Sequence, residues 1–322
     1  MHYSVILNPT AGNGRATNIG KEIQEQLRQA NVEFDLQTTK DASSAAYFAH
    51  RIYQNRQASD TVAADNDTVV IVVGGDGTLH DVLNGLQQVA APNSLFPLAY
   101  VPASKLSRFA RAYGIPTDPE KAIHQILTTT TAQDISVGRC RDAIKGTDSY
   151  FLNSFGIGFD AALISRASRQ RHRKHFRWGH LAFLLHSASV LYDQQPFQLM
   201  VTHHQHREPY SKAYLVVINN HPFTDSGVQL ASSTGLQQPS LDLTIAERRG
   251  WPLTLWQLRQ FYRGQLPNSR FANHFSGCKF HCTTPSLEFS QIDGEDRGNR
   301  FIDLTFTVTT YPFWQTPLTD KQ

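Results

Sequence analysis

The sequence predicts two domains, an α/β domain built on a parallel sheet and a β-rich domain of antiparallel, sandwich-like strands. Three observations carry this prediction. The chain has 322 residues, more than one typical domain. Short apolar runs alternate with amphipathic helical patterns up to about residue 131, which favours a parallel sheet with helices on both faces. From Asp134 onward the runs become short and are separated by turn residues, as in an antiparallel sheet or sandwich.

The first part of the predicted α/β domain contains two strands, each followed by a helix. Residues 2–7 form a short apolar strand, and the glycine-bearing turn at residues 8–14 leads from it into an amphipathic helix. Residues 32–39 begin with alternating apolar and polar side chains, which predicts a second strand. Asp41 or Ser43 is suited to cap the helix that follows.

The centre of this domain is the stretch TVVIVVGGDGTLHDVLNGL at residues 68–86. It opens with β-branched residues and no charge, which predicts a strand buried on both faces. The turn Gly74-Gly75-Asp76-Gly77-Thr78 then leads into a helix with apolar residues on one side. Residues 97–101 supply another apolar strand, and Pro116 and Pro119 mark the start of the last helix.

Both glycine turns, at residues 8–14 and 74–78, follow a strand and precede a helix. Ligands of open parallel sheets bind beyond the carboxyl ends of the strands, where these turns fall. Backbone N–H groups and a helix N-terminus converge there and favour a phosphate. Asp76 would repel a phosphate, so it suggests a Mg²⁺ ion or a reacting hydroxyl nearby. The alternative is an ordinary turn between a strand and a helix.

The second domain is predicted from the change of pattern near residues 131–133, which assigns residues 1–132 and 133–310 to the two domains. Its strands are short runs such as DISVGRC, YFLNSF, VQLAS and LDLTIAE. Two helical patterns interrupt them, at residues 178–192 and 252–263. An exposed strand edge in this domain would support a homodimer, and the sequence leaves the oligomeric state open.

Composition argues against several classes of protein. A net charge of +3 does not indicate nucleic-acid binding. No apolar run approaches the ~20 residues of a membrane span, and the N-terminus lacks a signal-peptide pattern, so we expect a cytoplasmic protein. Cys278, His281 and Cys282 have poor spacing for a metal site, and a strand that places them on alternate faces is the better explanation.

A basic stretch at residues 166–177 contains six Arg or Lys residues together with His and Phe. One interpretation is a solvated helix face or loop. The other is transient contact with an anionic membrane surface, where each cation contributes ~1 kcal/mol. The second interpretation would make the protein peripheral at the inner membrane face, and the sequence leaves both open.

Motifs in a fixed order along the chain give a resemblance to a known family. They are Asn8-Pro9-x-x-Gly12, Thr39, Gly74-Gly75-Asp76-Gly77-Thr78, His80-Asp81-Val82-x-Asn84-Gly85, Gly156-Ile157-Gly158-Phe159-Asp160-Ala161 and Asp293-Gly294-Glu295. In this order and spacing the chain resembles the diacylglycerol kinase catalytic-domain family, which includes soluble bacterial lipid kinases and sphingosine kinases. The resemblance spans nearly the whole chain, although Asp81 stands where the family has Glu.

The resemblance implies a phosphofructokinase-like nucleotide domain, a β-rich lipid-substrate domain and an active cleft between them. It also implies that the C-terminal residues 311–322 return to the first domain. The activity implied is that of an ATP- and Mg²⁺-dependent lipid kinase that phosphorylates the hydroxyl of diacylglycerol or a related long-chain alcohol. Such a reaction needs a phosphate cradle, a Mg²⁺ ion and a carboxylate that accepts the hydroxyl proton.

The resemblance also assigns roles to individual residues. Glu295 is the expected base and Asp293 its acidic neighbour, while Asp76 is expected at the phosphates and the catalytic Mg²⁺. The residues expected to bind the nucleotide share positions in the loops that follow strands. They are Asn8, Pro9, Gly12, Thr39, Gly74, Gly75, Asp76, Gly77, Thr78 and Lys105.

The chain departs from the family pattern in two segments. In residues 102–111 the family's Gly, Thr, Asn and Asp are replaced by Ser104, Lys105, Ser107 and Arg108. In the second segment the family's Pro, Ala, Asp and Gly are replaced by Ser232, Thr234, Gln238 and Pro239. The resemblance implies that in bacterial members the Asp-Gly of the second segment helps to hold a structural Mg²⁺, whose water network reaches the Asp of the first segment. We therefore predict that the structural Mg²⁺ is absent and that Arg108 takes its electrostatic role, facing Asp134.

Two alternatives remain at this point. The departures at residues 104–108 and 232–239 suit a catalytically impaired homologue that binds lipid or nucleotide. The related NAD kinase group also carries Gly-Gly-Asp-Gly-Thr, but the motifs at residues 156–161 and 293–295 favour a lipid kinase.

Overall fold

The computed structural model describes residues 1–41, 44–57, 68–89, 94–104, 107–171, 189–220 and 239–315. The chain divides into two compact units. The N-terminal unit comprises Met1–Ile135 together with Thr310–Gln322, and the C-terminal unit comprises Ser136–Thr309. The sequence-based prediction placed these two boundaries at residues 132 and 310.

The N-terminal unit is an α/β fold with a parallel sheet. Its elements are β1 (His2–Leu7), α1 (Arg15–Gln29), β2 (Glu33–Thr38), α2 (Ser44–Gln57), β3 (Thr68–Gly74), α3 (Asp76–Val89), β4 (Leu98–Pro102), α4 (Arg108–Ala112) and α5 (Pro119–Thr128). The sheet order is β4-β3-β1-β2, and each neighbouring pair is parallel. The end of β13 (Glu295–Phe313) adds a parallel strand beside β4, where Phe313 pairs with Leu98.

The central strand β3 is buried at all seven positions, as its run of β-branched residues predicts. Val69, Ile71 and Val73 belong to one apolar cluster with residues of α1 and α5. α2 and α3 pack closely against each other, since a Cβ atom on Gly85 would lie 2.8 Å from the Ala46 carbonyl oxygen. Both faces of the sheet centre are therefore covered, and the loops at its edge remain for function.

Two short helices after β4 have well-defined caps. α4 begins after Ser107, whose hydroxyl accepts a hydrogen bond from the Ala110 amide. α5 begins after Asp118, whose carboxylate accepts from the Lys121 amide, and Pro119 occupies the first helical turn. The sequence analysis predicted α5 but not α4, because five residues are too short to show a helical period.

The C-terminal residues 311–315 form hydrogen bonds with β4 and its neighbours in the N-terminal unit. The Gln315 side chain accepts from the Tyr100 amide at 2.7 Å and donates to the Tyr100 carbonyl at 3.0 Å. The Trp314 indole N–H donates to the Ile126 carbonyl at 3.1 Å, and the Tyr311 hydroxyl donates to the Phe96 carbonyl at 2.9 Å. The end of the chain thus completes the core of this unit.

The C-terminal unit is rich in antiparallel strands. Its elements are β5 (Gln133–Asp142, which starts in the other unit), β6 (Thr147–Phe151), β7 (Ser154–Gly158), α6 (Phe159–Arg171), β8 (Phe197–His203), β9 (His206–Asn219), β10 (Leu241–Glu247), α7 (Trp251–Tyr262), β11 (Ala272–Gly277), β12 (Lys279–Ile292) and most of β13. The strand order is β11-β10-β9-β7-β12-β13. β8 pairs with both β9 and β12, and β5 pairs with β6 and β13.

Some predicted elements of this unit differ in the structure or fall outside it. The run YFLNSF is divided between β6 and β7. The helix predicted at residues 252–263 is α7, displaced by one residue. Most of the predicted helix at residues 178–192 and the VQLAS strand at residues 228–232 lie outside the described residues. In β12 the side chain of Cys282 is buried, whereas Cys278, just before the strand, is exposed.

Candidate active site

Three loops meet at the carboxyl edge of the parallel sheet. The Asn8 side-chain amide, just after β1, donates to the Thr78 hydroxyl of α3 at 2.9 Å. Gly12 has a left-handed backbone (φ +61°), and a Cβ atom there would lie 2.3 Å from the Ala103 carbonyl oxygen. The loops after β1, β3 and β4 are therefore in contact. This is the edge at which the sequence predicted a phosphate site.

Neither packing against the described residues nor backbone conformation explains why residue 75 is a glycine. A Cβ atom at Gly74 would lie 2.8 Å from the Thr78 side chain, so packing explains that glycine. At Gly75 no atom of the described residues lies within 4 Å of such a Cβ atom, and its φ is not left-handed. A glycine in this setting lets a group from outside the chain approach the backbone, as a phosphate does before a helix N-terminus.

The other residues predicted to bind nucleotide occupy nearby positions on the same edge. The Thr39 amide donates to the Leu7 carbonyl at 2.8 Å, which places Thr39 directly beyond β2 and beside the end of β1. Pro9 accepts a hydrogen bond from the Thr17 hydroxyl, and Gly77 lies in the first turn of α3. Lys105 lies outside the described residues.

Asp76 faces four hydrogen-bond donors of its own chain. Its Oδ1 atom lies 2.5 Å from the Ser107 hydroxyl and 3.1 Å from the Tyr100 hydroxyl. Its Oδ2 atom accepts from the backbone amides of Arg108 at 2.9 Å and Phe109 at 3.3 Å. The Tyr100 hydroxyl has one proton and also lies 3.2 Å from the Gly74 carbonyl, so the Ser107 hydroxyl and the two amides are the constant donors to this carboxylate. Asp76 thereby joins the β3–α3 turn to the start of α4.

The charge of Asp76 is balanced by protein groups. The Arg108 Nε atom lies 3.9 Å from Oδ2, and the Asp76 side chain is only 9% exposed. Burial, together with the neighbouring charge of Asp76, raises the pKa of Tyr100 well above its usual range, so its hydroxyl stays protonated and available as a donor. The sequence suggested Asp134 as a partner of Arg108, which stays a prediction; the structure shows Asp76 beside Arg108.

Asp293 lies in the C-terminal unit, in the tight turn between β12 and β13. Ile292 pairs with Glu295, so Asp293 and Gly294 form a two-residue hairpin with φ values of 49° and 84°. Positive φ at both positions is the geometry that Asp-Gly favours. The Asp293 carboxylate accepts from the amides of Leu152 at 2.9 Å, Asn153 at 2.7 Å and Ser154 at 3.2 Å. It is buried and anchors the turn before β7.

Glu295 is the predicted catalytic carboxylate with the most solvent access. Its side chain is 38% exposed, compared with 9% for Asp76. Its Oε2 atom lies 3.7 Å from the Arg297 guanidinium. Glu295 directly follows the rigid Asp293-Gly294 turn, so the anchoring of Asp293 also restricts where Glu295 can point.

Asp242 is the acidic residue retained in the second altered segment. It is buried, and its Oδ1 atom lies 2.5 Å from the Ser276 hydroxyl and 3.8 Å from His274 Nε2. This carboxylate therefore has hydrogen-bond donors of the protein beside it. Ser232, Thr234 and Gln238 lie outside the described residues, so the predicted absence of a structural Mg²⁺ stays a prediction.

Sequence reasoning did not identify Tyr100 and Ser107 as site residues. Tyr100 resembles any buried strand residue, and Ser107 was noted only as a departure from the family. The signal for Ser107 was present, because serine is a favoured N-cap and Arg108-Phe109-Ala110-Arg111 can form a helical turn. No comparable pattern indicated that Tyr100 would reach Asp76.

Comparisons with known proteins agree with this arrangement. The sequence model of the diacylglycerol kinase catalytic domain matches residues 2–140. A Bacillus subtilis (strain 168) protein named "Putative lipid kinase YtlR" is 30% identical over 264 residues, which are 80% of this chain and 81% of the relative. A "Diacylglycerol kinase" of Mycobacterium tuberculosis (strain ATCC 25618 / H37Rv) is 29% identical over 168 residues, 52% of this chain and 49% of that protein.

A solved structure extends the similarity to the fold of the whole chain. It is described as a diacylglycerol kinase from Bacillus anthracis str. Sterne and is 18% identical, with a TM-score of 0.69. The match covers 98% of this chain and 97% of that one. The chain belongs to the diacylglycerol kinase catalytic-domain family, a family of lipid kinases. The resemblance drawn from the sequence motifs is thereby confirmed.

Among the described residues, no helix is both long and apolar enough to cross a membrane.

Proposed function

We propose that the protein is an ATP- and Mg²⁺-dependent lipid kinase that phosphorylates the hydroxyl of diacylglycerol or a related long-chain alcohol. The observation that carries the proposal is the open space at Gly75, beside the loops of Asn8 and Gly12. Membership of a lipid kinase family supplies the class of reaction. The first substrate would be a nucleoside triphosphate, whose phosphates need room to approach the backbone of a glycine turn.

The chain would bind the nucleotide with its sheet-edge loops. Gly74, Gly75 and Gly77 bring backbone amides to the phosphates, and the first turn of α3 adds the positive end of its dipole. Thr78 is held by Asn8, which fixes its hydroxyl at the same edge. Pro9, Gly12, Thr39 and Lys105 are proposed as further nucleotide contacts. Gly12 also allows the first loop to reach Ala103.

Asp76 fits the role of an anchor better than that of a direct metal ligand. Four donors of the chain face its carboxylate, so a directly bound metal would compete with contacts that hold the turn. Bound Mg²⁺ would neutralise the charge that develops on the transferred phosphoryl group. We assign its ligation mainly to the nucleotide phosphates, while Asp76 holds the 74–78 turn in place.

The segment after β4 is proposed to replace a structural metal. Ser107, the first amides of α4 and the Arg108 guanidinium together satisfy the carboxylate of Asp76. A guanidinium and oriented amides supply the positive potential and the directed contacts that a bound cation would supply. On this proposal, the Asp76 charge stays balanced without a structural metal ion.

Glu295 is proposed as the base that accepts the proton of the lipid hydroxyl. Its carboxylate is partly exposed, whereas that of Asp293 is engaged by three backbone amides. Asp293 is therefore proposed as a positioning residue that fixes the hairpin in front of Glu295. A carboxylate within reach of the hydroxyl would contribute about 10²- to 10⁴-fold to the rate.

The second candidate function is a homologue that binds nucleotide or lipid without turnover. It is favoured by the engagement of both Asp76 and Asp293 with groups of their own unit. The partly exposed carboxylate of Glu295 and the open Gly75 turn favour the enzyme instead.

The test is transfer of radiolabelled phosphate from ATP to lipids and to NAD. Purified protein is incubated with γ-labelled ATP, with and without Mg²⁺, and with diacylglycerol, a broad lipid extract or NAD. We expect label in a lipid product only when Mg²⁺ is present. Label in NAD would identify the NAD kinase activity, and stabilisation by ATP without label in any lipid would identify the non-catalytic homologue.

A further inference from the structure

Helix α7 exposes apolar side chains on the face that points away from its core. Trp251, Leu255 and Trp256 are 45%, 51% and 37% exposed, while Leu258 and Phe261 on the opposite face are buried. Surface helices usually carry polar residues outward and apolar residues inward. α7 therefore carries apolar side chains on both faces, and those of the outward face stay 37–51% exposed.

The surroundings of this face are strongly basic. Residues 248–271 contain five arginines and no aspartate or glutamate. Trp251, Leu255 and Arg259 follow one another at four-residue intervals in α7, and Arg263 is the residue directly after the helix. Apolar and cationic side chains therefore share the exposed side of the helix. Arg259, Arg263 and Arg270 are exposed. Residues 248–271 are therefore far more basic than the chain as a whole, whose net charge is +3.

The aromatic rings at this face are organised by their neighbours. The Arg248 guanidinium lies 4.2 Å from the centre of the Trp251 ring, and the Tyr192 ring stacks on Trp251 with centroids 6.0 Å apart. The Tyr192 side chain is itself 71% exposed. At the other end of the face, Trp256 packs edge-on against Phe271 beside Arg270. Rings held in this way can enter an interface without losing much conformational freedom.

A groove with both apolar and polar lining opens next to Trp256. It is lined by Trp256, Phe271 and Arg270 together with the amide and hydroxyl side chains of Gln260, Gln265, Asn268 and Ser269. These groups are hydrogen-bond donors around one cation, which suits a phosphate-bearing headgroup.

We propose that the outward face of α7, defined by Tyr192, Trp251, Leu255, Trp256, Arg259, Arg263 and Arg270, docks on an anionic bilayer surface. Tryptophan and leucine fit the boundary between headgroups and acyl chains, and arginines are attracted to anionic headgroups. Charge complementarity favours a bilayer over a second copy of the chain. A symmetric dimer through this face would bring its arginines against those of the partner, with no acidic residue of the segment to offset them.

The docking face consists of other residues than the basic stretch that the sequence suggested for membrane contact. In that stretch Arg166 is paired with Asp193 at 2.6 Å, and residues 172–177 lie outside the described part of the chain. The proposal shares with the proposed function the premise that the substrate is a membrane lipid. Vesicle binding is measured without turnover, so either proposal can fail alone.

The test is co-sedimentation of the full chain with vesicles. Phosphatidylglycerol-containing vesicles are compared with pure phosphatidylcholine vesicles, for the native protein and two double variants. Leu255→Ser with Trp256→Ser removes apolar side chains, and Arg259→Gln with Arg263→Gln removes two charges. We expect binding to anionic vesicles that weakens with salt, a loss of at least ~10-fold in the first variant and of ~30-fold in the second.

Matched controls keep the result specific. Leu287→Ser removes a leucine of the same unit that is 55% exposed, and Lys21→Gln with Arg28→Gln removes two exposed cations from α1. Both controls should bind like the native protein, and circular dichroism should show all variants folded. Three results would overturn the proposal: no binding of native protein to anionic vesicles, equal losses in the controls, or a dimer in sedimentation velocity that the α7 variants abolish.

Discussion

The Ser107 hydroxyl lies 2.5 Å from the Asp76 carboxylate and at the same time accepts a hydrogen bond from the Ala110 amide at 3.1 Å. One short side chain thus caps α4 and holds the acidic residue of the glycine turn. Arg108, the next residue, adds its amide and its guanidinium to the same carboxylate. The substituted segment after β4 therefore contacts Asp76 through a hydroxyl, two amides and a guanidinium.

Removing the Ser107 hydroxyl should destabilise the N-terminal unit. Ser107→Ala loses a helix cap, worth about 0.5–2 kcal/mol, and a hydrogen bond to a charged group, worth about 1.5–3 kcal/mol. We expect a loss of about 2–4 kcal/mol in the free energy of unfolding, measured by urea denaturation. Ser107→Thr retains a hydroxyl and should lose less than half as much. Equal losses in the two variants would show that the hydroxyl contacts are not the cause.

A methyl group at Gly75 should impair nucleotide binding without harming the fold. The space around Gly75 is open and its φ suits any residue, so Gly75→Ala should keep its melting temperature. The rise in melting temperature that ATP causes in the native protein should be largely lost, because the methyl group would occupy the space assigned to phosphate. Gly74→Ala is the contrast: its Cβ atom would lie 2.8 Å from Thr78, and we expect a loss of about 1–3 kcal/mol in stability. If ATP stabilised Gly75→Ala as much as the native protein, the assignment of the phosphate site to this turn would be wrong.

The C-terminal Trp314 should be essential to the stability of the N-terminal unit. It is 6% exposed within the cluster of α1 and α5, and its indole donates to Ile126. Trp314→Ala should cost about 3–5 kcal/mol, as for other buried aromatic residues. Trp314→Phe fills most of the volume and should cost less. A melting temperature unchanged by Trp314→Ala would mean that residues 311–315 are not part of the folded core.

Only one of the three cysteines should react with a thiol reagent in the native protein. Burial raises the pKa of Cys282 to about 12 and also raises the pKa of Cys140 far above its usual range. Both thiols therefore stay protonated at pH 8, and the thiolate is the reactive form. Cys278 is exposed. We expect one equivalent of rapid reaction with Ellman's reagent and three after denaturation, with no slowing by added Zn²⁺. Protection by Zn²⁺ would revive the metal interpretation of Cys278, His281 and Cys282.

The strands and longer helices could be predicted because their side-chain periods are local. The residue pattern of β3 alone indicates that both faces are buried, and the structure agrees. α4 could not be predicted in the same way, since it has five residues and depends on Ser107 and Asp76 for its start. Glycine turns could be placed at the sheet edge from topology, but the open space at Gly75 is visible only in three dimensions.

The roles of the carboxylates show where sequence reasoning ends. The motif around Asp293 indicated a catalytic acid or a hairpin turn. The structure shows the hairpin and also three amides, from Leu152, Asn153 and Ser154, that lie about 140 residues away in the chain. No local pattern encodes such a contact. Likewise, Asp76 and Tyr100 looked unrelated in sequence, because their contact depends on how two neighbouring strands of the sheet end.

The central claim, a lipid kinase that uses Glu295 as its base, is tested most directly by phosphate transfer to diacylglycerol in mixed micelles. Native protein, Glu295→Gln and the control Asp303→Asn are compared; Asp303 lies on the same strand and its side chain is 41% exposed. We predict Mg²⁺-dependent phosphorylated lipid from the native protein and the control. Glu295→Gln should lose about 10²- to 10⁴-fold in rate while its melting temperature and ATP stabilisation stay unchanged. Undiminished transfer by Glu295→Gln, or no transfer by native protein that ATP stabilises, would contradict the account.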